Sequence, residues 1–254
     1  MYTDYFSNEV AVITGAGQGI GFEIAKQLCA NGASVLLNDI DATLAKNAAA
    51  KISAYGNCIA LAGDAGDVSF IQKMVDEAVQ QFGKLTIAVA NAGITLFGDF
   101  FNYKPEALQS VMNLNIGGSF LLTQAAAKQI RQQKSGGSIL LMSSVTGHQA
   151  HKNLAAYGIT KAALEMLAKT LVVELSPYNI SINAIAPGAT ITERTGEDES
   201  YINTWSRITP LGRPATVEDI ANAALFMVAP AARHVTGQSL VIDGGWTSVS
   251  PSPY

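Results

Sequence analysis

Short, nearly continuous apolar runs alternate with longer segments of helical periodicity along most of the chain. The runs at 10–14, 34–38, 58–62, 85–90, 138–142, 181–184 and 239–242 are rich in β-branched residues and read as strands covered on both faces. Helical patterns fall between them, over 20–31, 41–55, 68–82, 105–133, 155–176 and 217–228. Repetition of this kind predicts an α/β fold: a doubly wound parallel sheet of about seven strands, helices on both faces, and right-handed crossovers. No internal repeat or long linker interrupts the pattern, so residues 1–254 are expected to form one domain.

Residues 155–175 and 220–228 are apolar around most of their circumference, whereas a helix on the outside of a monomer keeps a polar face. They point to burial against other subunits or within the monomer. A charged fraction of 14%, against about 25% in an average domain, favours the former. Residues 190–214 differ: the stretch is polar, with Glu193, Arg194, Glu197, Asp198 and Glu199 near its start, and reads as a mobile lid or a plain surface loop.

A formal charge of -4 with no basic cluster argues against nucleic acid or an anionic membrane surface as partner. No stretch approaches the ~20 apolar residues of a membrane span. The first ten residues carry Asp4 and Glu9 and lack the apolar run of a signal peptide. Cys29 and Cys58 have neither metal-ligand spacing nor a disulfide framework, and read as thiols in a reducing compartment; the expected location is cytoplasmic.

Candidate chemistry begins where the first strand meets the first helix, at Thr14-Gly15-Ala16-Gly17-Gln18-Gly19-Ile20-Gly21. Glycines permit a sharp turn and a close approach to a pyrophosphate, and the helix N-terminus supplies N–H donors and positive potential. Asp39 ends the second strand, 18 residues beyond Gly21. A carboxylate there accepts hydrogen bonds from ribose hydroxyls and repels a 2′-phosphate. No Arg or Lys lies within the glycine turn or beside Asp39, so the charges favour NAD over NADP.

Tyr157 and Lys161 stand four apart in a strongly helical segment and share a face. Oxidising an alcohol requires a base for the hydroxyl proton, and a free phenol, with a pKa near 10, is a poor one at neutral pH. A nearby ammonium favours the phenolate. Ser144, at the end of the fifth strand, is placed to hydrogen-bond the reacting oxygen.

Thr14-Gly15-xxx-Gly19-x-Gly21, Asn91-Ala92-Gly93, Asn115, Ser144, Tyr157-xxx-Lys161 and Pro187-Gly188 stand in the order and spacing of the short-chain dehydrogenase/reductase family, which the chain resembles from Val10 to Gly245. The resemblance implies a Rossmann-like fold and an oxidoreductase. Tyr157 would be the acid/base, Ser144 would orient the substrate oxygen, Lys161 would favour the ionised tyrosine and bind the nicotinamide ribose, and Asn115 would hold a relay water. The implied cofactor site comprises Gly15, Gly17, Gln18, Gly19, Ile20 and Gly21 of the turn, Asp39 and Ile40, Asp64 and Ala65 on the adenine side, and Asn91, Ala92 and Gly93. Tyr157, Lys161, Pro187, Gly188, Thr190 and Thr192 complete it, with Ile185 in the segment cradling the carboxamide. Ala90 and Ala65 depart from the family's usual Asn and Val. With the two apolar helices and the C-terminal region, the resemblance implies a homotetramer.

The expected substrate is a small secondary alcohol, sugar or ketone; a ketoreductase acting on acyl-carrier-protein thioesters with NADP is the alternative, because motifs near the C-terminus resemble both kinds of enzyme. A dinucleotide-sensing protein without turnover, or a methyltransferase, would leave Ser144, Tyr157 and Lys161 unexplained. His148 and His151 are expected near substrate, with no third ligand evident for a metal. Trp205 and Trp246 are lid and interface candidates, or ordinary packing.

Overall fold

The computed structural model describes residues 5–196 and 198–250. Glu197, counted above among the lid acids, Asp4 and the last four residues lie outside the described residues. Seven strands, β1 (Val10–Ile13), β2 (Ser34–Asp39), β3 (Cys58–Ala62), β4 (Ile87–Ala90), β5 (Gly137–Met142), β6 (Ile180–Pro187) and β7 (Ser239–Ile242), form one sheet in the order β3-β2-β1-β4-β5-β6-β7. Every pairing is parallel. The order reverses between β1 and β4, which opens a crevice at the carboxyl ends of those strands.

Among the described residues, eight α-helices connect the strands: α1 (Gly19–Ala30), α2 (Ala42–Ile52), α3 (Val68–Phe82), α4 (Pro105–Val111), α5 (Ser119–Gln133), α6 (Ala155–Leu175), α7 (Glu199–Ile208) and α8 (Val217–Val228). Strand side chains alternate between two cores. Ala11, Ile13, Val35, Leu37 and Val89 pack with α1, α2 and α8. Val10, Val12, Leu36, Ala88 and Leu141 pack with α3, α5 and α6. Because both faces are covered, the strands read as nearly continuous apolar runs, broken by a few buried polar residues such as Asn38 and Asn183.

The sequence reading needs correction in three places. The helix expected over 105–133 is α4 and α5 joined by a π-helical turn, Met112–Gly118. A Cβ on Gly118 would collide with the Ala65 carbonyl, so the chain passes close to the loop after β3 at that point. The polar stretch 190–214 contains α7, capped by Asp198, whose carboxylate accepts from the Ser200 and Tyr201 amides at 2.9 and 3.2 Å. Tyr201, Trp205 and Ile208 recur at i, i+4 and i+7 there, a pattern diluted by the surrounding polar residues. Finally, β6 runs to eight residues instead of four, all buried between β5 and β7.

On α6, Ile159, Met166 and Val173 lie seven apart on one face and stay exposed, Val173 at 79%. Phe120 on α5 and Phe226 on α8 are exposed as well. Cys29 and Cys58 are free thiols, and a hydrogen bond with Cys58 together with burial pushes the Cys29 thiol above the ordinary thiol range. No helix among the described residues is long and apolar enough to cross a membrane.

Candidate active site

The β1–α1 turn is built by glycines for two different reasons. Gly15 and Gly19 adopt left-handed backbone, φ +61° and +64°, which side chains disfavour. Gly17 and Gly21 are needed for space: a Cβ would lie 2.7 Å from Asp39 Oδ2 at the first, and 2.5 Å from Asn91 Nδ2 at the second. Asn91, at the exit of β4, ties the turn down by donating from Nδ2 to the carbonyls of Thr14 at 2.9 Å and Gly15 at 2.8 Å. Thr14 Oγ1 in return accepts from the Asn91 and Ala92 amides, both at 3.1 Å. No side chain caps the N-terminus of α1, so its free N–H groups face the crevice. A groove of about 350 Å³ runs from here past Asp39, Ile40, Asp64 and Ala65, and a dinucleotide fits its chemistry: bare backbone for the pyrophosphate, a carboxylate beyond for the ribose.

Asp39 is already engaged. Its Oδ2 accepts from the Gly17 amide at 3.0 Å and its Oδ1 from the Asp41 amide at 3.1 Å. Each oxygen retains a lone pair for a further donor. Capping of α2 falls to Asp41, which accepts from the Thr43 and Leu44 amides.

A second groove, of about 320 Å³, continues past Gly93 to Ser144, Tyr157, Lys161, Pro187, Gly188, Thr190 and Thr192. Tyr157 and Lys161 sit in the first two turns of α6. Lys161 is 3% exposed, donates to the Met142 carbonyl at 2.7 Å, and holds its Nζ 5.3 Å from the centroid of the Tyr157 ring. Asn115, fully buried in the π-helical turn, donates to the Ile94 carbonyl at 3.0 Å and Thr160 Oγ1 at 3.1 Å, and accepts from the Ile94 amide at 2.9 Å. It thereby ties the exit of β4 to α6, with both amide hydrogens spent. Ser144 begins the 3-10 turn Val145–Gly147, its Oγ accepting from the Thr146 amide at 3.2 Å.

Comparison with known proteins gives the same outline. A family model described as "Enoyl-(Acyl carrier protein) reductase" matches residues 15–247. The L-rhamnose 1-dehydrogenase (NAD(P)(+)) of Azotobacter vinelandii is 34% identical, covering 94% of this chain and 96% of its own. The 3alpha-hydroxysteroid dehydrogenase of Mediterraneibacter gnavus is 36% identical, covering 93% and 96%. A crystal structure of a short-chain type dehydrogenase/reductase from Mycobacterium marinum superposes with a TM-score of 0.90 at 31% identity, covering 95% and 96%. The chain belongs to the short-chain dehydrogenase/reductase family.

Around these grooves stand Glu165 and Tyr201, which no sequence signal marked, together with His148, His151, Trp205 and Trp246, which were expected near substrate, lid or interface. Glu165, one turn beyond Lys161, has its Oε1 2.6 Å from Ser143 Oγ and 2.9 Å from His148 Nε2, and so braces the end of β5 against α6. His148 is thus bound to a carboxylate, and among the described residues no group of three or more His, Cys, Asp or Glu is placed to hold a metal ion. His151 packs on Trp246 at 5.1 Å, Trp246 on Trp205 at 5.1 Å, and Trp205 on Tyr201 at 6.1 Å, which lines the second groove. Burial lowers the His151 pKa from its ordinary value, and its Nε2 has no hydrogen-bond partner among the described residues. Burial raises the Tyr201 phenol, opposed by its contact with the Thr190 backbone. Asp243 fixes Trp246 by accepting from the Gly245 and Thr247 amides on either side of it, at 2.8 and 2.7 Å. These partners converge from separate elements, and no local spacing announces them.

Proposed function

We propose that this chain is an NAD-dependent dehydrogenase that interconverts a small secondary alcohol, with sugars and polyols as the preferred class, and the corresponding carbonyl compound. The observation that carries this reading is the buried Lys161 ammonium, 5.3 Å from the Tyr157 ring in the groove that Ser144 also lines. In the oxidative direction the Tyr157 phenolate takes the hydroxyl proton of the substrate, and Ser144 donates a hydrogen bond to the same oxygen. The Lys161 charge stabilises the phenolate. Bound nicotinamide supplies hydride exchange at the carbon. In the reductive direction Tyr157 returns the proton to the developing alkoxide. Asn115 acts through the remaining lone pair of Oδ1 or its main-chain carbonyl, since its amide hydrogens are engaged; a relay water there is part of the proposal.

The preference for NAD rests on Asp39, whose carboxylate repels a 2′-phosphate while keeping lone pairs for ribose hydroxyls. The sugar class draws support from Tyr201, which lines the second groove and is backed by Trp205 and Trp246, and from relatives named as rhamnose and, in Listeria innocua, glycerol dehydrogenases. The test is a panel of aldoses, polyols, hydroxy acids, hydroxysteroids and 3-oxoacyl thioesters, run with NAD(H) and with NADP(H) at 340 nm. The expected result is a best kcat/KM on a polyhydroxylated substrate with NAD. A best rate on thioesters with NADPH would replace this reading by the ketoreductase alternative, and dinucleotide binding without turnover would favour a sensing protein.

The exposed apolar faces of α5, α6 and α8 support assembly into a homotetramer. Light scattering at micromolar concentration is expected to give four chains per particle; a monomer mass would remove that part of the proposal.

A further inference from the structure

The two grooves share five lining residues, Gln18, Asn91, Gly93, Thr192 and Arg194, and only Arg194 of these is charged. The first groove is otherwise acidic, with Asp39, Asp64 and Glu193 in its lining and Arg194 its one cation among the described residues. In the second, the other cation is Lys161, buried and donating to the Met142 carbonyl. The Arg194 guanidinium is exposed and makes no hydrogen bond or ion pair among the described residues, although its amide donates to Thr192 Oγ1 at 3.3 Å.

Its backbone is well held. Thr195 Oγ1 donates to the Thr190 carbonyl at 3.0 Å and accepts from the Thr192 amide at 3.0 Å, and the Ile191 amide donates to Ala215 at 2.8 Å. The segment therefore faces the uncapped start of α1, where a Cβ on Gly19 would lie 3.7 Å from both Thr192 Cγ2 and Glu193 Oε2.

We propose that Arg194 is a cofactor-binding residue that clamps the pyrophosphate of the dinucleotide from the lid side, opposite the N-terminus of α1. The inference rests on the dinucleotide reading above. A pyrophosphate brings two negative charges into a groove lined by three carboxylates, and a helix terminus offers only about half a positive charge. A guanidinium fork supplies a full charge with paired N–H donors matched to phosphate oxygens, which a lysine would deliver only as a point charge. Arg194 stands where the grooves meet, whereas Asp39 lines the first groove alone. The pyrophosphate, rather than a 2′-phosphate, is its target.

Calorimetric titration of the full chain with NADH, NADPH, ADP-ribose and adenosine tests this directly. Arg194→Met is expected to weaken NADH, NADPH and ADP-ribose about tenfold or more and by similar factors, with adenosine unchanged and Arg194→Lys recovering part of the loss. A wild-type chain that binds ADP-ribose while Arg194→Met binds it equally well overturns the clamp and leaves the dinucleotide reading standing. Loss confined to NADPH would make Arg194 a reader of the 2′-phosphate, and an effect only on substrate KM would make it a substrate contact; either result refutes the proposal. If the wild-type chain binds none of the four, the dinucleotide reading itself fails.

Discussion

Tyr157→Phe is expected to lower kcat by about a thousandfold or more while the dissociation constant for NADH stays within about twofold. Positioned general acid/base groups contribute roughly 10²–10⁴ in rate, and no other hydroxyl in the catalytic groove lies on the same helix as Lys161 one turn away from it. The substitution is clean. The phenol oxygen makes no hydrogen bond among the described residues, so its removal orphans none of them, and the Thr160 hydroxyl still has the residue 157 carbonyl, 2.7 Å away, to bond. The ring, whose centroid lies 5.3 Å from Lys161 Nζ, is retained. Turnover close to wild type would dismiss Tyr157 as the proton-exchanging group, and lost NADH binding would mean that the variant reports on cofactor binding instead.

Gly21→Ala is expected to weaken NADH about a hundredfold and to lower the melting temperature by several degrees. A methyl group there meets Asn91 Nδ2 at 2.5 Å, the Gly15 carbonyl at 2.6 Å and Ala16 Cα at 3.0 Å. Two of these are backbone and cannot rotate away. Overpacking of this kind costs about 1–3 kcal/mol, and relief requires Asn91 to release the two carbonyls that fix the turn. The same methyl at Gly83, where nothing lies within 4 Å, meets no clash, although its φ of +83° makes the residue there strained. Comparing the two variants by calorimetry and thermal melts separates crowding of the cofactor turn from general backbone strain. Undiminished NADH affinity in Gly21→Ala would show that the turn does not approach the cofactor.

Much of this site is legible in one dimension because its parts are local. A glycine turn joins consecutive elements, and a tyrosine and a lysine four apart on a helix must share a face. The strands announce themselves because a sheet covered on both sides favours apolar residues at nearly every position. Legibility fails where residues distant in sequence meet. Glu165 and His148 are 17 apart and become partners only because the turn Val145–Gly147 folds back onto α6, where Gly147 would meet the Ala162 amide at 2.9 Å if it carried a Cβ. Arg194 looks like one charge in a polar loop until the isolated bridge between Thr190 and Ala215 anchors its segment over α1. Helix α7 escapes notice because Tyr201 and Trp205 pack on each other and Trp205 on Trp246, outside the two main cores.

The alternation of buried strands with helices, the glycines of the first turn and the Tyr157–Lys161 spacing were determined by the sequence itself, since each follows from steric or periodic rules acting over a few residues. The meeting of β1 with β4, the bracing of Ser143 by Glu165, the aromatic wall at His151 and the position of Arg194 over α1 were decided by the tertiary structure alone. Those contacts depend on how the sheet twists and how its crossovers close, and packing forces act between surfaces that do not exist until the chain has folded.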